Sequence, residues 1–144
     1  MFFIDGGYLH TIVRNVLNEN AVRDPQKFAE VIDNLIYHTI IWDRKKFAPY
    51  SEHEIVRIYY YDAIFPPDDE EFKEQKEYFG ELHEYVSEKY PFEMKFGRLI
   101  RAGKDGKMLR QKGVDVLLSI DMVVKAFLNH CDVAILVAGD DDFL

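Results

Sequence analysis

Three stretches of this chain place a carboxylate where an apolar run of strand-forming residues stops. Phe2-Phe3-Ile4 leads into Asp5-Gly6-Gly7, and Ala134-Ile135-Leu136-Val137-Ala138 leads into Gly139-Asp140-Asp141-Asp142-Phe143. Ile55 to Tyr61 leads into Asp62. Open α/β sheets bind their ligands at the carboxyl edge of the strands. Carboxylates gathered there repel one another and call for a hard cation. The pattern points to a Mg²⁺ or Mn²⁺ site.

Each acid also has a plainer explanation. Asp5 before two glycines suits a metal ligand, and equally a cap on the helix that follows. Asp140 and Asp142 suit a helix start, but three consecutive acids exceed what a cap needs. Alternation turns Asp140 and Asp142 one way and Asp141 another, which makes Asp141 the weakest ligand of the three. Asp115 falls in the first turn of a helix starting after Gly113, where it can face the same edge or merely favour the helix dipole. Asp121 lies about 120° around that helix from Asp115, so the two share no face. It follows the apolar run Leu117-Leu118-Ser119-Ile120, where an unpaired acid is costly, so it orients a lysine or a ligand shell, or lines the far wall. Asp62 either lines the cleft or makes a local turn contact.

These residues must be positioned by alternating elements. The reading predicts a strand over 2–5, a helix from Tyr8 to Leu17, and a helix from Asp24-Pro25 to near Trp42. It predicts a strand over 54–62, with Pro66-Pro67 stopping it and Asp68 or Asp69 capping a helix that runs to Lys89. A strand over 92–100, a turn over 103–106, an apolar helix over 114–128 and a buried strand over 133–138 follow. The order β-α-α-β-α-β-α-β implies crossover connections and a central, mainly parallel sheet between helix layers, an α/β/α sandwich. The chain of 144 residues reads as one domain. A strand ending in an acidic turn should lead into another helix and strand. The domain over 1–144 is therefore expected to be incomplete at its carboxyl end.

Net charge is −8, which disfavours a protein that coats DNA indiscriminately. The charge is uneven. Residues 68–88 carry nine acids against two lysines, whereas residues 98–112 carry six bases against one acid. Arg98, Arg101 and Lys112 are the candidates for holding a polyanion backbone, set against ordinary solvation. The single cysteine, Cys131, reads as an inert core thiol at the start of a buried strand. No leader and no membrane span is visible, which leads to a cytoplasmic expectation. His10, His38, His53, His83 and His130 form no metal-binding spacing. There is no serine-hydrolase elbow, no phosphate-binding loop with lysine and no dinucleotide fingerprint.

The ordered set of motifs resembles the NYN nucleases, the LabA-like branch of the PIN-like fold. It consists of Phe3-Ile4-Asp5-Gly6-Gly7-Tyr8, Tyr59-Tyr60-Tyr61-Asp62-Ala63, Phe96-Gly97-Arg98-Leu99, Lys112-Gly113-Val114-Asp115-Val116 with Asp121, and Leu136-Val137-Ala138-Gly139-Asp140-Asp141-Asp142-Phe143. The resemblance implies a metal-dependent ribonuclease. Asp5, Asp115, Asp140 and Asp142 would hold Mg²⁺ or Mn²⁺ and form the catalytic set, with Asp121 a further acid of that branch and Asp62 accessory. RNA, single-stranded in this reading, is the implied partner. Tyr8 stands where the family usually has Asn, and Asp141 where it usually has Ser. Two rivals remain. A phosphatase with Asp5 as nucleophile would want a second acid where Gly7 stands. A non-catalytic RNA-binding or regulatory assembly module of the same fold is the other, though the intact acid set argues against lost chemistry, and the aromatic-rich helix from Ala29 to Trp42 could give a homodimer face alongside nuclease activity.

Overall fold

A computed structural model describes residues 1–46, 54–102 and 108–139. Its elements are β1 (Phe2–Asp5), α1 (Gly6–Val16), α2 (Glu19–Arg23), α3 (Pro25–Lys46), β2 (Ile58–Ile64), α4 (Phe72–Ser87), β3 (Phe92–Ala102), β4 (Met108–Lys112), α5 (Val114–Phe127) and β5 (Ile135–Val137). The strands form one sheet in the order β4-β3-β2-β1-β5. β1 pairs in parallel with both β2 and β5, and β2 in parallel with β3. Among the described strands only β4 is antiparallel, against β3.

Strand alternation splits the core between two faces. Phe2, Ile4, Ile58 and Tyr60 point to the side covered by α1 to α4, where Phe28, Ile32, Ile36, Phe79 and Leu82 meet them. Phe3, Tyr59, Tyr61 and Ala63 point to the side covered by α5, against Val114 and Leu118. The result is the expected α/β/α arrangement. Because β1 and β2 are buried on both faces, they read as continuous apolar runs rather than alternating ones.

The elements differ from expectation in five places. β4 is an extra strand, unforeseen because all five of its residues are exposed and Met-Leu-Arg-Gln-Lys has no buried face; its bases suit an edge. The turn expected at 103–106 lies outside the described residues. α2 is an extra short helix, capped by Asn18, whose side chain accepts from the Ala21 N–H at 3.0 Å. β2 does not end at Asp62. It starts later, at Ile58, and continues to Ile64, so Asp62 is an interior strand residue that alternation sends toward α1 and α4. Neither Asp68 nor Asp69 is the N-cap of α4: the helix begins at Phe72, and the Asp69 carboxylate takes the Glu71 N–H instead. β5 and Cys131 are half-buried rather than buried; among the described residues β5 pairs with β1 alone, at the sheet edge.

Candidate metal centre and its surroundings

Asp5 closes β1 and opens α1. Its Oδ1 accepts the Tyr8 N–H at 3.0 Å, so the capping role is real. The same carboxylate, buried at the sheet edge, lines a cavity of about 510 Å³. Asp115, Tyr8, Thr11, Gln111 and Gly139 line it as well. The cap and the cavity are compatible: the N–H fixes one carboxylate oxygen and thereby the direction of the group.

Asp115 reaches this cavity because of how β4 is joined to α5. Gly113 caps α5 with φ of 84°, a left-handed conformation that suits glycine. The Leu117 N–H bonds the Gly113 carbonyl, and Asp115 sits exposed in the first turn. Behind this junction lies Gly97 of β3, where a Cβ would stand 2.6 Å from the Lys112 carbonyl oxygen and 2.8 Å from Val114 Cγ2. Gly139, two residues past the end of β5, fits against the ring of Tyr8, which a Cβ would strike. Asp140 and Asp142 lie outside the described residues, and Asp140 follows Gly139 directly in the chain.

The order of strands, the acid ending β1 and the acid opening α5 now stand together. The NYN domain family matches the chain over residues 1–144. The chain belongs to the NYN domain family. No curated protein and no solved structure matches it. NYN domains are PIN-like nuclease domains, and the five-stranded, mostly parallel sheet agrees with that fold.

The donors at the NYN cavity are carboxylate and amide oxygens, which fit a hard divalent cation. Among the described residues, no three His, Cys, Asp or Glu side chains cluster closely enough to hold a metal. Asp5 and Asp115 would need further oxygens to complete a shell, and Gly139, which lines the cavity, leads directly into Asp140.

Asp62 is placed elsewhere. It points to the opposite face and is buried. Its Oδ1 accepts the Ala63 N–H at 2.7 Å and the Gln111 Nε2–H at 3.2 Å, and its Oδ2 accepts the Tyr60 hydroxyl at 3.0 Å. His10 Nε2 lies 3.4 Å from the same Oδ2. Burial pushes the Asp62 carboxyl up to about 7, the Asp5 charge adding to this and the Ala63 and Tyr60 hydrogen bonds opposing it. Burial also pulls His10 down to about 4, helped by the Arg14 charge. Near neutral pH the imidazole is uncharged, so the contact is not an ion pair.

Asp121 also leaves the metal cavity. It accepts the Tyr61 hydroxyl at 2.8 Å and pairs with Lys95, so of the roles its apolar surroundings left open it takes the lysine partner. Burial raises its pKa, but the Lys95 and Tyr61 hydrogen bonds and the Lys95 charge outweigh that and leave it lowered.

The three bases divide. Arg98 and Lys112 are exposed and directly opposed across the β3–β4 ladder. Like charges in that position repel, which an anion between them relieves. Arg101 is tied to Asp69 by two bonds, 2.9 and 3.0 Å, and to Glu71 at 2.7 Å, and it lies over the Phe65 ring. Its donors serve the β3–α4 corner.

Gln111, Thr11 and His10 were not among the sequence candidates. Gln111 stands on the unforeseen strand. His10 was weighed only for metal spacing, whereas here it stacks on Phe28 with centroids 4.3 Å apart.

Proposed function

We propose that this NYN domain is a metal-dependent ribonuclease that hydrolyses phosphodiester bonds of single-stranded RNA. The observation that carries the reading is the cavity shared by Asp5, Asp115 and Gly139. It joins the start of α1, the start of α5 and the end of β5, and family membership supports nuclease chemistry at that edge. Asp5, Asp115, Asp140 and Asp142 would hold Mg²⁺ or Mn²⁺, with Asp140 and Asp142 assigned from the sequence motif. A bound ion of this kind neutralises phosphoryl oxygens and acidifies a water. The Tyr8 N–H keeps the Asp5 carboxylate directed at the cavity, which preorganises the donor before any ion arrives. Lys112 and Arg98 hold the RNA backbone. Asp62 and Asp121 act by positioning neighbours, and Arg101 by fixing a corner of the fold.

No helix among the described residues is long and apolar enough to cross a membrane. A cytoplasmic location is part of this proposal, since RNA and a reduced Cys131 belong together there. An assembly role alongside catalysis is favoured by exposed apolar side chains. Val116, Ile120, Val123 and Phe127 of α5 are 56–84% exposed, and Tyr37 and Trp42 of α3 are 59% and 55% exposed.

The test is cleavage of an end-labelled single-stranded RNA with Mn²⁺ or Mg²⁺, beside an EDTA control and Asp140→Asn. Metal-dependent cutting lost in the substitution supports the ribonuclease. No cutting, with no Mn²⁺ heat in calorimetry, overturns it and leaves the RNA-binding or assembly module.

A further inference from the structure

A second cavity of about 750 Å³ opens beside the proposed metal cavity, on the α1–α4 side of the sheet. The two share Gly7, Thr11 and Gln111 as lining, so a ligand spanning them passes over these three residues. Its volume falls in the range of small-molecule sites, roughly 300–1,000 Å³, large enough for one nucleotide. Tyr78 and Phe79 supply aromatic wall. Its cations are already paired. Arg14 and Arg23 share Glu19, at 2.6 and 3.3 Å, and Arg101 pairs with Glu71, so the cations of this wall are engaged, while Asp62 and Glu74 add acceptors to it. An uncharged group carrying hydrogen-bond donors suits it better.

Gln111 decides which group that is. Its Nε2 donates to Asp62 Oδ1, and the side chain lies flat over Gly7, where a Cβ would stand 2.6 Å from Nε2 and 2.9 Å from Oε1. Asp62 Oδ1 already accepts the Ala63 N–H and Oδ2 the Tyr60 hydroxyl, so a flipped amide would set its carbonyl oxygen against an accepting oxygen. Gln111 therefore keeps its nitrogen toward Asp62 and presents its carbonyl oxygen at the junction. Glu74, exposed on α4, adds carboxylate acceptors farther in.

We infer that this second cavity seats the nucleobase next to the scissile phosphate, and that Gln111, with Glu74, selects a base bearing an exocyclic amino group over uracil. The inference rests on the ribonuclease reading for its placement beside the reacting phosphate. Cytosine, adenine and guanine each offer an amino donor to these acceptors, whereas uracil offers a carbonyl oxygen in the place where cytosine has its amino group. A site built from acceptors rejects a ligand that leaves them unpaired.

The experiment uses labelled single-stranded RNAs that are identical except for C or U at one position beside the cut, assayed with Mn²⁺. The expected result is about a tenfold higher kcat/KM for C. Gln111→Leu should bring the ratio close to one, and Glu74→Gln should lower it in part. Equal cutting of the C and U substrates by the parent chain overturns the inference, as does an unchanged ratio in Gln111→Leu. If no RNA is cut, the ribonuclease reading fails separately. Fluorescence anisotropy with C-only and U-only oligonucleotides then decides the inference: tighter binding of C that Gln111→Leu removes supports it, and equal binding overturns it.

Discussion

His10 Nε2 and Asp62 Oδ2 stand 3.4 Å apart in the sheet–helix interior, and the two groups titrate in opposite senses on folding. Burial raises Asp62 from 3.8 to about 7 and lowers His10 from 6.5 to about 4. Between about pH 4 and 7 the folded state holds a proton on Asp62 that the unfolded state has released. Asp62 thus favours the fold at low pH, and that contribution is lost as pH rises through 7. Over about pH 4 to 6.5 the unfolded state holds a proton that folded His10 refuses. His10 thus costs stability as pH falls, and the cost vanishes above 6.5. The two slopes oppose each other in one window.

Removing either group should expose the other. Asp62→Asn is expected to unfold at higher urea than the parent chain at pH 8, by roughly 1–4 kcal/mol, since one pKa unit is about 1.4 kcal/mol. Its advantage should fade toward pH 4. His10→Phe, which keeps the stack on Phe28, should instead gain stability relative to the parent on acidification from pH 6.5 to 4. Parallel pH profiles for parent and both variants would contradict the paired burial.

Asp121 separates a structural acid from a metal-binding one. Asp121→Asn keeps an acceptor for the Tyr61 hydroxyl but loses the charge that pairs with Lys95. A stability loss of about 1 kcal/mol is expected, with Mn²⁺ affinity by calorimetry within twofold of the parent. Asp5→Asn should do the reverse: little change in unfolding, because an amide oxygen can still cap Tyr8, and at least a tenfold loss of Mn²⁺ affinity. Because the folded Asp121 pKa is lowered, its contribution is present above the ordinary carboxylate range and is lost as pH falls below it.

The core order of elements was legible because it rests on period and punctuation. Asp24-Pro25 opens α3 as expected: Pro25 is its first residue, and the Asp24 carboxylate takes the Gln26 and Lys27 N–H groups. Asp5 and Asp115 were legible too, as an acid ending one strand and an acid opening one helix, and the cavity joins them. Three things were hidden. β4 has no buried face, so no hydrophobic pattern announces it, and Gln111 was hidden with it. Asp62 looked like a strand end because Pro66-Pro67 follows closely, yet pairing of Ala63 and Ile64 with β3 carries the strand past it. Arg101 looked equivalent to Arg98 in sequence, and only the fold brings Asp69 and Glu71 onto it.

The division among the bases predicts how salt should act. Lys112→Ala and Arg98→Ala each remove one cation from the opposed pair, and each should reduce the slope of log affinity against log salt for single-stranded RNA by about 0.7. Arg101→Ala should leave that slope unchanged, because its charge is already met by two carboxylates. Anisotropy titrations from 50 to 200 mM salt measure this, and a slope loss for Arg101→Ala equal to that for Lys112→Ala would overturn the assignment.

Two glycines test whether the β4–α5 junction positions Asp115. Gly80 lies within α4 and has nothing within 4 Å of where a Cβ would stand. Gly80→Ala should therefore stabilise the domain by about 0.5–1 kcal/mol through helix propensity alone. Gly97→Ala meets the Lys112 carbonyl oxygen at 2.6 Å, the Val114 Cγ2 at 2.8 Å and the Val114 nitrogen at 3.0 Å. Two of these atoms are backbone, so relief requires moving the segment that delivers Asp115 to the cavity. A stability loss of about 1–3 kcal/mol is expected, as for overpacking elsewhere. Mn²⁺ affinity should fall with it, measured where both chains remain folded. In the double variant the Gly80→Ala gain should restore stability in part without restoring Mn²⁺ affinity. Recovery of both together would show that Gly97 acts through global stability instead of through the placement of Asp115.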